Sequence, residues 1–213
     1  MAYFLPPLVG FCFVGESAVF LDARSDRYWM LPAVTGRSLR QQCGGEPLSP
    51  EETTQLGELV RVGLLDVSGN HPVVPCRLPA PRTSCLDAAE NIPRLSTMIA
   101  WLGYAAAARR LRRHGLQSEI VRLERLRRQR SGKPRNVDCS AEAFVWLRLL
   151  VSPLGRCLPL SMALAERCAC PEVHLVFGVK LSPFAAHAWV QRDTEVLNDE
   201  LHVVQDFTPV LVV

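Results

Sequence analysis

The sequence predicts an α+β protein in two parts. Three observations point that way. Short apolar runs separated by turn residues crowd the first third, helical spacing dominates the middle, and alternating strand patterns follow it. A length of 213 residues suits one medium domain or two small ones. Hydrophobic residues at 48% and charged residues at 21% have the balance of a folded globular chain, not a disordered one. No apolar run reaches the ~20 residues needed to span a bilayer, so no membrane partner is expected. The eight cysteines are irregularly spaced and form no paired C-x-x-C zinc signature, so no metal is expected either. The opening MAYFLPPLVGFCFVG has no Lys or Arg before its apolar stretch and is broken by prolines. It reads as the start of a fold and not as a signal peptide, which makes a cytoplasmic protein with reduced cysteines the expectation.

Charge and proline mark the division. Residues 1–83 hold 7 basic and 8 acidic side chains, net −1, while residues 84–213 hold 17 and 13, net +4. Within the second part, Arg109 to Arg135 carry 11 basic and 2 acidic residues. Pro72, Pro75, Pro79 and Pro81 follow Gly69 and Asn70. Proline fixes φ and removes a donor, so residues 71–83 read as a semi-rigid linker between units at 1–70 and 84–213.

In the first unit, Phe11–Val14 and Ala18–Leu21 flank Gly15-Glu16-Ser17 as a hairpin would, and Tyr28–Leu31 is a third strand candidate. Leu31 to Cys43 has helical spacing stopped by Gly44-Gly45. Ser49-Pro50-Glu51-Glu52 has the N-cap, N1 proline and first-turn acids of a helix start. Leu56, Leu59 and Val60 continue that helix to Gly63, and Leu64–Val67 is a candidate for a last short strand. Three strands followed by helices fit a winged-helix-like module. Net −1 cannot supply the phosphate neutralisation that DNA affinity needs, so no nucleic-acid partner is expected. A small sheet with an apolar edge can instead accept a peptide as an added strand.

In the second unit, Leu95–His114 reads as a long helix ended by Gly115. Ile120, Leu123 and Leu126 mark another, with arginines on its outer face. Those arginines form either a docking surface or a solvated face. No aromatic residues interleave with them as base-stacking platforms would. Ser140 is a candidate cap for an apolar helix carrying Phe144, Val145, Leu147, Leu149 and Leu150. Pro153 and Gly155 then break the chain before Leu158–Glu166, which places Cys157 at a helix N-terminus beside Arg156. Free N–H groups there stabilise a thiolate. Val173–Leu181 and His187–Arg192 have strand patterns. A hairpin folded about Asp193 sets His187 opposite Asp199, and directly opposed residues have Cβ atoms ~4.5–5.5 Å apart. A cysteine, a histidine and a carboxylate so arranged have the order of an activated nucleophile, its base and the group that orients the base. Cys139, Cys168 and Cys170 lack that setting. Cys168, Cys170 and His174 form a C-x-C-x₃-H pattern that is a weak metal signal. No Walker A, G-x-G-x-x-G, H-E-x-x-H or G-x-S-x-G motif occurs, so no cofactor is expected in this chain.

The stretch LDARSDRYWMLPAVTGRSL resembles the precursor-recognition modules of ribosomal peptide biosynthesis, which are similar to the pyrroloquinoline-quinone biosynthesis D protein. The resemblance spans roughly residues 8–68. It implies that a leader peptide adds as a strand in a groove at Arg27, Tyr28, Trp29, Met30 and the helix bearing Leu56, Leu59 and Val60. The segments RCLPLSMAL and VFGVKLSPFAAHAWVQRDTEVLND resemble the transglutaminase-like (papain-like) cysteine protease domain of lasso-peptide maturation B proteins, over about residues 90–210. That resemblance implies catalytic roles for Cys157, His187 and Asp199. It also implies a ribosomal precursor peptide as substrate, and a separate asparagine-synthetase-like lasso cyclase as the partner that uses ATP. Two other classes stay open from the residues alone: a cysteine acyltransferase or transglutaminase, and a non-catalytic winged-helix binder.

Overall fold

The computed structural model describes residues 2–88, 94–130, 137–150 and 155–213. Pro153, Lys133 and Arg135, and the side chains of Cys139, Leu149 and Leu150, lie outside the described residues. The chain mixes helix and sheet. Strands β1 (Val9–Val14), β2 (Ser17–Asp22) and β3 (Arg27–Met30) form an antiparallel sheet in the order β1-β2-β3. Val14 pairs with Ser17, which leaves Gly15-Glu16 as a two-residue turn, and Gly15 supplies the positive φ of 58°. Helix α1 (Ala33–Gly44) ends on Gly45 in the left-handed conformation. Helix α2 (Pro50–Arg61) opens with a complete capping box. The Ser49 hydroxyl accepts from the Glu52 N–H, and the Glu52 carboxylate accepts from the Ser49 N–H.

The short strand expected at Leu64–Val67 is absent. Leu64 and Leu65 are buried in an irregular segment tied to the N-terminus by a single bridge from Phe4 to Asp66. The segment packs as core without a strand partner long enough to make a ladder.

The proline-rich stretch is pinned at several points. The Cys76 N–H donates to the Phe11 carbonyl (2.7 Å), Gln191 donates to the Pro79 carbonyl (2.8 Å), and β4 (Thr83–Ser84) runs parallel to a later strand. Helix α3 (Arg94–Arg130) is broken at Gly115, whose φ of 74° and ψ of 174° are not helical. Helix α4 (Val137–Leu150) begins before Ser140, so Ser140 lies inside its first turn and is not its cap. Helix α5 (Cys157–Cys168) packs between α3 and the second sheet, with Leu160, Met162 and Leu164 buried.

That sheet comprises β4, β5 (Val173–Lys180), β6 (Ala185–Arg192), β7 (Glu195–Val196) and β8 (Thr208–Val212), in the order β4-β7-β6-β5-β8. A short helix, α6 (Leu201–Gln205), joins β7 to β8. Among the described residues, no helix is long and apolar enough to cross a membrane.

The two sheets meet. Residues alternate across β1 and β2, and both faces are covered. Val9, Phe11, Ala18 and Phe20 join Leu39, Leu56, Leu59, Leu64 and Leu65 in one cluster, where Phe11 stacks on Phe20 at 4.9 Å. Cys12, Val19 and Leu21 join Val210, Val179 and the α5 residues in another. A Cβ built on Gly10 would lie 2.3 Å from the Val210 carbonyl oxygen, so only glycine lets β1 come this close to β8.

Candidate active site

Cys157 is the first residue of α5, preceded by Arg156 at the N-cap. Its sulfur accepts from the backbone N–H of Leu158 and of Ala188, and it is hydrogen-bonded to the His187 ring. Burial alone would push this thiol up. The His187 hydrogen bond and charge, together with the two N–H donors, outweigh burial and hold it below its ordinary value. Four other cysteines go the opposite way. Burial pushes Cys43 up, Cys76 up to about 11, and Cys12 up to about 12 with a further push from Cys76. Cys85 also rises to about 12, through burial and a 3.3 Å hydrogen bond to Glu195. At Cys157, by contrast, ionisation is made easier.

His187 lies on β6 and presents Nε2 to the Asp199 Oδ2 at 2.6 Å, which leaves Nδ1 for the sulfur. Burial disfavours the charged ring. The hydrogen bonds to Asp199 and Cys157, and the charges of both, reverse that and push the imidazole up to about 9. The ring is held between two aromatic neighbours, Trp189 at 6.2 Å and Phe207 at 5.1 Å between centroids. Trp189 has its own anchor, donating to Gln191 at 3.0 Å. Asp199 is buried and fully engaged. Its Oδ1 accepts from the Glu200 N–H (2.8 Å) and its backbone carbonyl accepts from the Ser84 hydroxyl (2.7 Å).

The route by which Asp199 reaches His187 differs from the sequence expectation. The turn is the two-residue Asp193-Thr194, so Gln191 pairs with Val196 and Arg192 with Glu195. That register is one residue away from a fold centred on Asp193. The ladder carries no further than a Leu197 N–H to Val190 carbonyl bond, and Asp199 meets the imidazole from the segment between β7 and α6.

The first sheet also borders this site. Cross-strand pairing puts Tyr28 beside Leu21, on the face turned to the second sheet, and Trp29 beside Phe20 on the opposite face. The Tyr28 ring meets Phe184 edge to face at 5.7 Å. Burial raises the Tyr28 phenol well above its ordinary range, and the nearby charges of Asp26 and Cys157 raise it further. Arg27, Trp29 and Met30 are exposed on β3, an edge strand. Leu56 and Leu59 are buried in the core with Phe11 and Phe20, and Val60 is half-buried against it.

The basic stretch divides in two. Arg110 donates to Glu119 (2.8 Å) and to both oxygens of Glu166 (2.7 and 2.8 Å), Arg127 to the Val173 carbonyl, and Arg130 to the Glu166 carbonyl. Arg122 pairs with Glu166 as well. These four clamp α3 onto α5 and β5, while Arg109, Arg112, Arg113, Arg125 and Arg128 are exposed. Among the described residues, no group of three or more His, Cys, Asp or Glu side chains could hold a metal ion.

The sequence profile of the transglutaminase-like superfamily matches residues 100–212, more than half of the chain. The chain belongs to the transglutaminase-like superfamily. The matched region contains Cys157, His187 and Asp199 and ends on β8, while the β1–β3 sheet lies outside it. Transglutaminase-like folds are typically cysteine proteases or acyltransferases. No curated protein and no solved structure matches the chain.

Proposed function

We propose that this transglutaminase-like protein is a cysteine peptidase that removes the leader from a ribosomally made precursor in lasso-peptide maturation. The observation that carries the catalytic part is the buried relay from Cys157 through His187 to Asp199, with the thiol drawn down and the imidazole pushed up to about 9. The thiolate attacks the scissile carbonyl. The imidazolium gives its proton to the leaving amine, and the acyl group stays on sulfur as a thioester. His187, now neutral, takes a proton from water, whose oxygen attacks the thioester. The products are the leader carboxylate and a core peptide with a free α-amine. In this mechanism, backbone N–H groups at the start of α5 receive the oxyanion. Asp199 fixes the ring orientation and favours its charged form.

The leader assignment rests on the N-terminal resemblance and on β3 being an edge strand with Arg27, Trp29 and Met30 exposed, whose open backbone groups can pair with an incoming strand. In this reading, residues 1–70 form a winged-helix-like recognition module. Because Tyr28 approaches Cys157 from that strand, a peptide captured there is delivered to the thiol at high effective concentration. Leu56 and Leu59 shape the floor beneath the strands and do not touch the peptide. The ATP-using cyclase is a separate protein that consumes the released amine.

An acyltransferase would use the same three residues and pass the thioester to an amine. Mass spectrometry of the precursor incubated with the protein, with and without cyclase, separates the readings. Hydrolysis adds the mass of water across two fragments, and transfer to an amine does not. Cys157→Ala is expected to retain leader binding and abolish cleavage, and Trp29→Ala to weaken binding. Wild-type cleavage by Cys157→Ala ends the proposal.

A further inference from the structure

We propose that Ser161 and Asn198 act together as positioning residues for the triad, an inference that rests on the active-site reading above. Both are buried, at 0% and 4% exposure, in the transglutaminase-like core. Each adjoins a member of the triad. Ser161 is four residues after Cys157 on α5, on the same helix face. Asn198 immediately precedes Asp199 in the chain. Ala188 immediately follows His187 on β6.

Three hydrogen bonds join these neighbours into one chain. The Ser161 hydroxyl donates to the Ala188 carbonyl (2.8 Å) and accepts from the Asn198 Nδ2 (2.8 Å), and the Asn198 Oδ1 accepts from the Val190 N–H (2.7 Å). Helix α5, strand β6 and the segment after β7 each carry one triad member, and this bridge ties all three carriers together. It also explains where the β6–β7 ladder stops. The Asn198 side chain takes the Val190 N–H, and the backbone is released to turn and aim Asp199 at His187. Ala188 is itself a donor to the Cys157 sulfur, so the same bridge holds the residue that helps keep the thiol ionised. Two other bonds, Ser84 to the Asp199 carbonyl and Leu197 to Val190, hold the segment in the fold when the bridge is cut.

The test uses the full-length protein with Ser161→Ala, Asn198→Ala and the double variant. Three readouts are taken: steady-state cleavage, the pH dependence of iodoacetamide labelling at Cys157 read by peptide mass spectrometry, and thermal melting. Each single variant is expected to lose about 100-fold in kcat, the scale of a 1 Å misplacement, with KM nearly unchanged. The labelling midpoint is expected to rise toward that of an ordinary thiol. The double variant is expected to be no worse than the weaker single, because one bridge is cut either way. Asn198→Asp keeps the acceptor for Val190 and loses the donor to Ser161, so it serves if the alanine variants fail to fold, and it too is expected to lose rate. Folded variants with wild-type kcat and labelling midpoint overturn the proposal, as do losses in the double variant that simply multiply. A wild-type protein whose Cys157 labels as an ordinary thiol refutes the active-site reading instead, which keeps the two failures apart.

Discussion

Cys157 owes its character to its partners. Burial raises the thiols of Cys12 and Cys85 to about 12, with Glu195 adding to the rise at Cys85, and the histidine hydrogen bond with two backbone donors reverses that trend at Cys157. In the proposed mechanism the competent state is thiolate with imidazolium. Activity is therefore lost on the acid side as the thiolate is protonated, and on the alkaline side as the imidazolium loses its proton near pH 9. Because the two groups titrate as a coupled pair, both limbs belong to the pair. The expected kcat/KM profile is a bell whose alkaline limb lies near 9. Asp199→Ala is expected to lower the rate by about 10²–10⁴-fold. Asp199→Asn keeps an oxygen for the ring but drops the charge, so its alkaline limb is expected to move to lower pH. A pH–rate series on purified variants measures both. Cys157, His187 and Asp199 were legible in the sequence because a helix start, a strand pattern and a nearby carboxylate each leave a local mark. Ser161 and Asn198 left none, since the bonds that join them to Ala188 and to each other span 27 and 37 residues. The approach of Tyr28 to Cys157 was hidden for the same reason.

The elements themselves were mostly readable where turn chemistry punctuates them. Gly15, Gly45 and Gly63 all have positive φ at the ends of strands or helices, and Ser49 with Pro50 and Glu52 opens α2 as its composition demands. Register was not readable, because Asp193 adopts φ 49° and closes a tighter turn than a symmetric count supposes. Strand β8 and helix α6 carried no clear signal. Pro209 within β8 reads against a sheet interior, and it is accommodated where the β5 pairing shifts between Phe177 and Gly178. Gly178 has a further constraint. It pairs with His187 across the ladder, and a Cβ there would lie 2.5 Å from the buried Trp189 ring. Gly178→Ala is expected to destabilise by about 1–3 kcal/mol through overpacking. It should also tilt the aromatic neighbour of His187, so that melting temperature and kcat fall together in melting and rate measurements.

At the scale of the whole molecule, charge and proline content marked a change in composition at residues 71–83 but said nothing of how the flanking parts pack. The apolar alternation in β1 and β2 covers both strand faces, and no local pattern says that the second face meets β8 and α5. Gly10→Val is expected to push β1 off the Val210 carbonyl, lowering thermal stability and slowing cleavage even though residue 10 is remote in sequence from Cys157. Differential scanning calorimetry and a cleavage assay test this, and an unchanged melting temperature would count against the close packing. Circular dichroism during urea unfolding is expected to show one transition for both parts. Anyone building chimaeras to retarget the protein inherits this seam. Grafting a different N-terminal sheet would also require transplanting the surface made by Cys12, Val19 and Leu21, since a sheet with a mismatched underside would sit askew on its support.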